Sequence, residues 1–188
     1  MELGLAGKNA IITGGSAGIG LACARALVSE GANVMIIGRD SERLKNAAAS
    51  IQKVGDNRKV YAVKEDLTHS QAAERVASAA IAQFGNIDIL INNAGSARAG
   101  TFWDLSDQDF LDAWNLKLLG YIRMVKAVAP HMMKERKGRI LNIIGTGGKT
   151  PSPTFLPGGT ANAALLNFTK GISKELAGHG VRINAISP

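Results

Sequence analysis

A glycine-rich turn at residues 13–20 has the residue types and the spacing that bind a phosphate group. It follows the apolar run Ala10-Ile11-Ile12 and precedes a segment with helical periodicity, so it should join a strand to a helix. The first N–H groups of such a helix are unpaired at the positive end of its dipole, and glycine lets a pyrophosphate approach them closely. The spacing is G-x-x-x-G-x-G, and a plain tight connection remains the alternative. The turn residues that we assign to phosphate binding are Gly14, Ser16, Gly18, Ile19 and Gly20.

Arg39 is the second candidate, because it follows a predicted strand about 20 residues after the glycine turn, where a dinucleotide fold contacts the adenosine ribose. An acidic side chain at this place would bind the 2′-hydroxyl of NAD. A guanidinium instead offers several donors and a permanent charge to a 2′-phosphate, which predicts NADP(H) in preference to NAD(H). The alternative is that Asp40 caps the next helix beside a solvated Arg39.

Further candidates follow the third and fourth predicted strands. Asp66 and Leu67 come after the third strand, and Asn93, Ala94 and Gly95 come after the fourth. In a parallel sheet these carboxyl ends face the same crevice as the glycine turn. Each group taken singly would also suit an ordinary turn.

The elements that must position these residues alternate between strand and helix. Buried-strand patterns cover residues 10–12, 32–37, 59–64, 87–92, 139–144 and 181–186, and helical patterns cover residues 21–30, 41–54, 70–84, 106–134 and 160–177. This order predicts an α/β fold, with a doubly wound parallel sheet and helices on both faces. The long connection at residues 145–159 is expected to be functional because of its length.

Length and composition predict one globular domain over residues 1–188, with an apolar fraction of 46%. The first eight residues do not resemble a signal peptide and no apolar run has the length of a membrane span, so we expect a cytoplasmic protein that does not bind membranes. The single Cys23 excludes an intrachain disulfide and should be a buried small hydrophobe. We assign no metal site.

The formal net charge is +7, and the densest basic run contains Lys134, Arg136, Lys137 and Arg139. This run could attract nucleic acid, but no aromatic residues are interleaved with it. It also lies between a helical pattern and a strand pattern, so a solvated helix end is the better interpretation. We therefore expect no nucleic-acid partner.

Taken together, these residues resemble the short-chain dehydrogenase/reductase family. The matching motifs are residues 13–20, Asp66-Leu67, residues 92–95, Asn115, residues 138–143 and residues 182–188. The resemblance implies a Rossmann fold of strand order 3-2-1-4-5-6 and hydride transfer between NAD(P) and a small carbonyl or alcohol. It also implies a homodimer or homotetramer, and it places residues 93–95 along the adenosine side of the cofactor.

The family's catalytic set is only partly present. The resemblance requires a Ser, a Tyr and a Lys together with an Asn on the long helix, and it places the Asn at Asn115. Gly145 stands at the Ser position, Gly158 at the Tyr position and Asn162 at the Lys position. The Asn162 amide could still reach a ribose hydroxyl, and Thr146 is the nearest replacement hydroxyl. Because a general acid contributes roughly 10² to 10⁴ in rate, we expect ordinary ketone reduction to be impaired.

The sequence therefore predicts an NADP(H)-dependent oxidoreductase with an atypical active site and a small-molecule substrate. A catalytically inactive NADP(H)-binding scaffold or sensor is the alternative. Family members continue with a last strand and a substrate flap, which residues 1–188 are expected to lack. The apolar residues expected to pair helices between subunits are Leu111, Trp114, Leu118, Tyr121, Met124, Val125, Val128, Leu165, Leu166 and Phe168, although all of them could instead face the sheet.

Overall fold

A computed structural model describes residues 3–55 and 57–188. Its strands are β1 (Asn9–Thr13), β2 (Asn33–Gly38), β3 (Val60–Lys64), β4 (Ile89–Asn92), β5 (Gly138–Ile143) and β6 (Val181–Ile186). Its helices are α1 (Gly18–Ser29), α2 (Ser41–Gln52), α3 (Ala72–Phe84), α4 (Asp107–Ala113), α5 (Gly120–Lys134) and α6 (Leu156–Gly178). A π-helical segment, Trp114–Leu119, joins α4 to α5. Short 3₁₀ turns occupy Phe102–Asp104 and Thr146–Gly148.

The six strands form one parallel sheet in the order β3-β2-β1-β4-β5-β6. This order confirms the predicted α/β fold and its doubly wound topology. The strand order reverses between β1 and β4, because β2 and β3 lie on one side of β1 and β4, β5 and β6 lie on the other. Strands β1 and β4 pair directly, from Ala10↔Ile89 to Ile12↔Ile91. A crevice for a ligand therefore opens at the carboxyl ends of these two strands.

Helices cover both faces of the sheet. Successive residues of β1 point to opposite faces, so each contacts a different pair of helices. Ile11 packs in a cluster with Val76 of α3 and Val128 of α5. Ile12 packs in a second cluster with Ala24 of α1 and Leu44 of α2. All residues of β1 are buried, as expected for a central strand of a parallel sheet.

Two elements differ from the sequence prediction. Helix α6 begins at Leu156 rather than near residue 160, with Pro157 in its first turn, so Gly158 and Gly159 are helical rather than part of an irregular connection. The predicted helix 106–134 begins at the expected cap, where the Ser106 side chain accepts from the Asp109 N–H in a capping box. Its middle turns, however, are the π-helical segment Trp114–Leu119.

The apolar residues predicted for subunit pairing are largely used within the chain, and this corrects that argument. Tyr121, Met124, Val125, Val128 and Leu165 are buried in the clusters beneath α5 and α6. Leu111 is exposed. The helices thus bury their strongest apolar stripe against the sheet, as the alternative interpretation expected.

The basic run lies where the sequence analysis expected a helix end. Lys134 ends α5, Gly138 begins β5, and Arg136 between them has φ 51° and donates to the Gly178 carbonyl at 3.4 Å. Cys23 is half-buried on α1, and burial raises the pKa of its thiol. Among the described residues, no helix is both long and apolar enough to cross a membrane.

Candidate cofactor and active site

The turn after β1 has no room for a Cβ at Gly14, Gly15 or Gly20. Gly14 has φ +64°, and a Cβ there would lie 2.9 Å from Asn93 Nδ2 and 3.0 Å from Ala94 Cα. A Cβ on Gly20 would overlap the Gly14 carbonyl. The first turn of α1 and the end of β4 therefore pack directly onto the turn backbone.

The N-terminus of α1 is open to an anion. Ala17 occupies the N-cap position, so no side chain caps the helix, and its first turn contains no acidic residue. Gly18 has φ +52°, and a Cβ there would meet nothing within 4 Å. Free N–H groups, a positive dipole end and open space fit the pyrophosphate of a dinucleotide.

Asn93 and Thr13 hold the two sides of the crevice together. Asn93 Nδ2 donates to the carbonyls of Thr13 and Gly14, at 3.1 and 3.2 Å. Thr13 Oγ1 accepts from the N–H groups of Asn93 and Ala94, at 2.9 and 3.1 Å. The Asn93 side chain thus shapes the cleft from within the protein. The sequence analysis placed Thr13 in the turn but gave it no role, although its place at the end of β1 could have indicated this one.

A cleft of about 230 Å³ brings half of the predicted cofactor residues together, and Gly18, Ile19, Gly20, Asp66, Asn93 and Asn162 do not line it. It is lined by Gly14, Ser16, Ile37, Gly38, Arg39, Asp40, Arg43, Glu65, Leu67, Ala94, Gly95, Ser96 and Leu116. A neighbouring cleft of about 430 Å³ shares Arg39 with it and adds Asp66 and Asn115. The two clefts follow the carboxyl ends of β1, β2, β3 and β4.

Arg39 and Asp40 take different roles at this cleft. The Asp40 carboxylate caps α2 by accepting from the Arg43 N–H at 3.0 Å, and this bond lowers the pKa of Asp40. Arg39 Nη1 lies 3.9 Å from Asp66 Oδ2, and its side chain is exposed. Asp66 also accepts from the Thr68 N–H and hydroxyl, at 3.0 and 2.8 Å. Arg43, which sequence reasoning missed, adds a second guanidinium to the same wall.

Asn115 lies in the π-helical segment and lines the second cleft. Its Oδ1 accepts from Arg123 Nη1 at 2.9 Å. The same Arg123 nitrogen lies 3.4 Å from the Leu67 carbonyl and 3.3 Å from that of Thr68. Arg123 thereby ties the segment that carries Asn115 to the turn after β3.

Gly145 and Asn162 contact each other at the end of β5. The Gly145 N–H donates to Asn162 Oδ1 at 3.2 Å, and the Asn162 side chain is buried. The predicted ribose contact of Asn162 stays a prediction, since one atom of its amide already has a partner within the chain. Thr146 begins the 3₁₀ turn and is exposed.

A family model described as short chain dehydrogenase matches residues 8–188. The chain belongs to the short-chain dehydrogenase family. It is 35% identical over 189 residues to the 3-oxoacyl-(acyl-carrier-protein) reductase of Vibrio cholerae, covering 99% of this chain and 74% of that protein. It is 32% identical over 185 residues to the 2,3-dihydro-2,3-dihydroxybenzoate dehydrogenase of Bacillus subtilis, with 98% and 70% covered.

Solved structures of other dehydrogenases and reductases share the fold. An L-sorbose reductase from Gluconobacter frateurii, complexed with NADPH and L-sorbose, matches with a TM-score of 0.95 at 30% identity, over 100% of this chain and 71% of that one. An NAD⁺-bound xylitol dehydrogenase matches with a TM-score of 0.94 at 30% identity, over 98% and 70%. The chain is thus a member of an oxidoreductase family whose structures contain both nicotinamide cofactors.

Phe155 fills the space beside Gly158, the residue that the short-chain dehydrogenase resemblance aligns with the family tyrosine. A Cβ on Gly158 would overlap Cε1 and Cζ of the Phe155 ring. Phe155 is the residue immediately before α6, and its backbone carbonyl accepts from the Gly159 N–H at 2.9 Å. An aromatic ring therefore lies beside the helix where a longer side chain at position 158 would have to project.

Proposed function

We propose that this chain is an NADP(H)-dependent oxidoreductase domain that acts on a small carbonyl or alcohol through an altered active site. Family membership supports the oxidoreductase class. The choice of NADP(H) rests on one observation, which is the Arg39 guanidinium on the wall of the cleft beside Ser16 and Gly38. We further propose that residues 1–188 form a single cofactor-binding domain of a cytoplasmic protein.

Arg39 favours a 2′-phosphate because its neighbour Asp40 is committed elsewhere. The Asp40 carboxylate accepts the Arg43 N–H, so it is held toward the start of α2. Arg39 has only a distant ion pair with Asp66, at 3.9 Å, and can exchange it for a closer anion. A guanidinium–phosphate contact is charge-assisted and can be bidentate.

The remaining groups fit the other parts of the cofactor. The open N-terminus of α1 would hold the pyrophosphate, and Leu67, Ala94 and Leu116 give the cleft apolar walls for the adenosine. When bound, the nicotinamide would supply or accept the hydride. Thr13 and Asn93 keep the two sides of the crevice at a fixed separation through their four hydrogen bonds.

The altered site follows from the aligned positions Gly145, Gly158 and Asn162. None of these residues can donate a proton as the family tyrosine does. Phe155 beside Gly158 supports the altered assignment, since the ring takes up the adjacent space. The same observation keeps a second candidate open, an NADP(H)-binding scaffold or sensor without catalysis.

Calorimetric titration with NADPH and NADH tests the cofactor choice. We expect NADPH to bind more tightly by about 1–3 kcal/mol, the range of a charge-assisted contact. Arg39→Ala should abolish the difference by weakening NADPH alone. Arg182→Ala is the matched control, because it removes an exposed guanidinium from β6 at the opposite edge of the sheet. Equal affinities for the two nucleotides in the unmodified protein would overturn the proposal.

A further inference from the structure

Two successive residues of the π-helical segment, Trp114 and Asn115, face different parts of the molecule. Trp114 Nε1 donates to Thr160 Oγ1 at 2.9 Å, so the indole contacts the first turns of α6. Asn115 Oδ1 instead accepts from Arg123 Nη1 at 2.9 Å, and the same nitrogen lies 3.3 Å from the Thr68 carbonyl oxygen. The segment therefore presents Trp114 toward α6 and Asn115 toward the turn after β3.

The position of Asn115 separates it from the residues that the family resemblance aligns with the catalytic set. Asn115 shares the cleft of about 430 Å³ with Asp66 and Leu116. Leu116 also forms an apolar wall of the cleft of about 230 Å³, which we propose for the adenosine. Neither cleft is lined by the aligned catalytic positions, which are Gly145, Gly158 and Asn162. Asn115 therefore lies on the adenosine side of the proposed cofactor site.

Arg123 fixes the direction of the Asn115 amide. A guanidinium has donors only, so the amide atom that faces it must be the oxygen. Arg123 Nη1 also lies 3.4 Å from the backbone carbonyl oxygens of Leu67 and Asn115, so it is held among four oxygens. Among residues 3–55 and 57–188, no acceptor lies within hydrogen-bond distance of Asn115 Nδ2. This nitrogen is the end of the amide that remains for a ligand in the cleft.

Asp66 presents the complementary group in the same cleft. Its Oδ1 accepts from the N–H and the hydroxyl of Thr68, at 3.0 and 2.8 Å. Its Oδ2 has the Arg39 guanidinium at 3.9 Å, which is too long for a hydrogen bond, so this oxygen remains an acceptor for a ligand. Thr68 is also the residue whose carbonyl lies beside Arg123. Thr68 and Arg123 thus hold Asp66 and Asn115 in one network.

A hydrogen-bond acceptor and a donor beside apolar walls match the polar edges of adenine. The 6-amino group of adenine is a donor, and the ring nitrogens N1 and N7 on its two sides are acceptors. Asp66 Oδ2 would accept from the amino group, and Asn115 Nδ2 would donate to a ring nitrogen. Leu67 and Leu116, which line the adjoining cleft, would contact the apolar faces of the base.

We propose that Asn115 is a cofactor-binding residue that recognises the adenine base, and that Arg123 is the positioning residue that orients its amide. This inference rests on the proposed NADP(H)-dependent function. It assigns Asn115 to the adenosine half of the cofactor instead of to the catalytic set that the family resemblance implies. Arg123 contacts no part of the cofactor in this assignment and acts through Asn115 and the turn after β3.

Calorimetric titration of Asn115→Asp with NADPH and with adenosine 2′,5′-bisphosphate tests the assignment without turnover. The aspartate has the same size and can still accept from Arg123, but it lacks the Nδ2 donor. The affinity for each ligand should fall by about 10-fold, because a hydrogen bond is lost and an acceptor faces an acceptor. The two factors should be equal, because the bisphosphate contains the whole adenosine half. An unchanged affinity for the bisphosphate would overturn the proposal.

Two further variants separate the loss of the donor from the added charge. Asn115→Leu removes the donor without adding a charge, so it should weaken both ligands as well. Asn167→Asp is the matched control, because it makes the same change at an exposed position of α6 that lines neither cleft. It should bind both ligands as the unmodified protein does. If Asn167→Asp weakens them as much as Asn115→Asp, the loss comes from net charge and the proposal is wrong.

Substitutions of Arg123 test its positioning role. Arg123→Met removes the donor that orients the amide, so both affinities should fall, and by less than in Asn115→Asp because the Nδ2 donor is still present. Arg123→Lys should retain most of the affinity, since an ammonium can also donate to Asn115 Oδ1. Lys126→Met is the control on an exposed position of the same helix. An Arg123→Met variant that binds the bisphosphate as tightly as before would overturn the positioning role.

Reduced nicotinamide hypoxanthine dinucleotide phosphate tests base recognition in the unmodified protein, so the result does not depend on the folding of a variant. This analogue has a carbonyl oxygen in place of the 6-amino group, and that oxygen would face the Asp66 carboxylate. It should bind about 10-fold more weakly than NADPH, within the discrimination expected of a donor–acceptor pair at a base edge. Equal affinities for the two nucleotides would overturn the proposal.

The two proposals fail in different ways. If the unmodified protein binds no NADPH, the proposed function is wrong, and the assignment of Asn115 falls with it. If the protein binds NADPH but neither the hypoxanthine analogue nor Asn115→Asp lowers the affinity, only the assignment of Asn115 is wrong and the cofactor assignment stands.

Discussion

Phe155 and Gly158 form a coupled pair at the start of α6. The ring of Phe155 lies where the first side-chain atom of a larger residue at position 158 would be. Phe155 remains partly exposed, so the ring can move toward solvent if it is displaced. Restoring a tyrosine at position 158 therefore requires a change at Phe155 as well.

We expect Gly158→Tyr alone to lower the free energy of unfolding by about 1–3 kcal/mol, the usual cost of overpacking. In the double variant with Phe155→Ala, the loss should be smaller than the sum of the two single losses, because the ring that causes the overlap is gone. Urea unfolding of the unmodified protein, both single variants and the double variant measures this coupling. If the losses of the two single variants add up in the double variant, the Phe155 ring does not cause the cost of Gly158→Tyr, and this prediction is wrong.

At single residues, sequence reasoning could anticipate a shared location where that location depends on position along the chain. The turn glycines, Arg39 and the residues after β4 all follow strand ends, and the structure places Gly14, Arg39 and Gly95 in one cleft. It missed Arg43 and Phe155, because their importance depends on where each side chain points, which the sequence pattern does not give.

Helix α6 shows why element boundaries were harder to predict than element types. Its first residues include Gly158 and Gly159, which disfavour helix, so the sequence indicated a loop. The structure forms a helix there because small residues allow close packing against the turn Thr146–Gly148. A Cβ on Gly159 would lie 3.3 Å from the Gly147 carbonyl oxygen. The π-helical segment could not be predicted either, because a helical hydrophobic period does not indicate a local change in the backbone hydrogen-bond pattern.

Two glycines, one within α6 and one in the turn Thr146–Gly148 that packs against its start, should respond oppositely to alanine. Gly171 is exposed within α6, and a Cβ there would meet nothing within 4 Å, so Gly171→Ala should raise the free energy of unfolding by about 0.5–1 kcal/mol. A Cβ on Gly148 would lie 2.9 Å from the Asn162 carbonyl carbon, which is backbone and cannot rotate away. Gly148→Ala should therefore lower the free energy of unfolding by about 1–3 kcal/mol. Denaturant unfolding of both variants provides the measurement, and a gain in stability for Gly148→Ala would contradict this packing.

On the scale of the whole molecule, the alternation of strands and helices predicted a parallel sheet with helices on both faces, and the family resemblance supplied its strand order. Hydrogen bonds between buried polar side chains then connect two strands of the sheet to α6. Asn92 of β4 donates to Asn142 of β5 at 3.0 Å, and Asn142 donates to Thr169 of α6 at 2.9 Å. These bonds fix α6 relative to the sheet, and with it Asn162 relative to Gly145. The direction of such side chains cannot be obtained from hydrophobic patterning alone.

The outer face of α5 and α6 carries an apolar groove of about 260 Å³. Its walls include Ile122, Ala129, Met133, Phe168 and Ile172. Ala129 is buried, and the other four residues are half-buried, so they still expose apolar surface to solvent. The prediction of a homodimer or homotetramer now rests on this groove, since helix pairing would cover it in a symmetric contact.

We expect the unmodified protein to sediment as a dimer or tetramer at micromolar concentration. Ile172→Glu should shift it toward the monomer, because a carboxylate placed in the groove would have to be buried without a partner at the contact. Lys170→Glu is the control, because it introduces a carboxylate at an exposed position of the same helix that does not line the groove. A monomeric mass for the unmodified protein would contradict the oligomer prediction. An Ile172→Glu variant that stays assembled would instead place the subunit contact on another face.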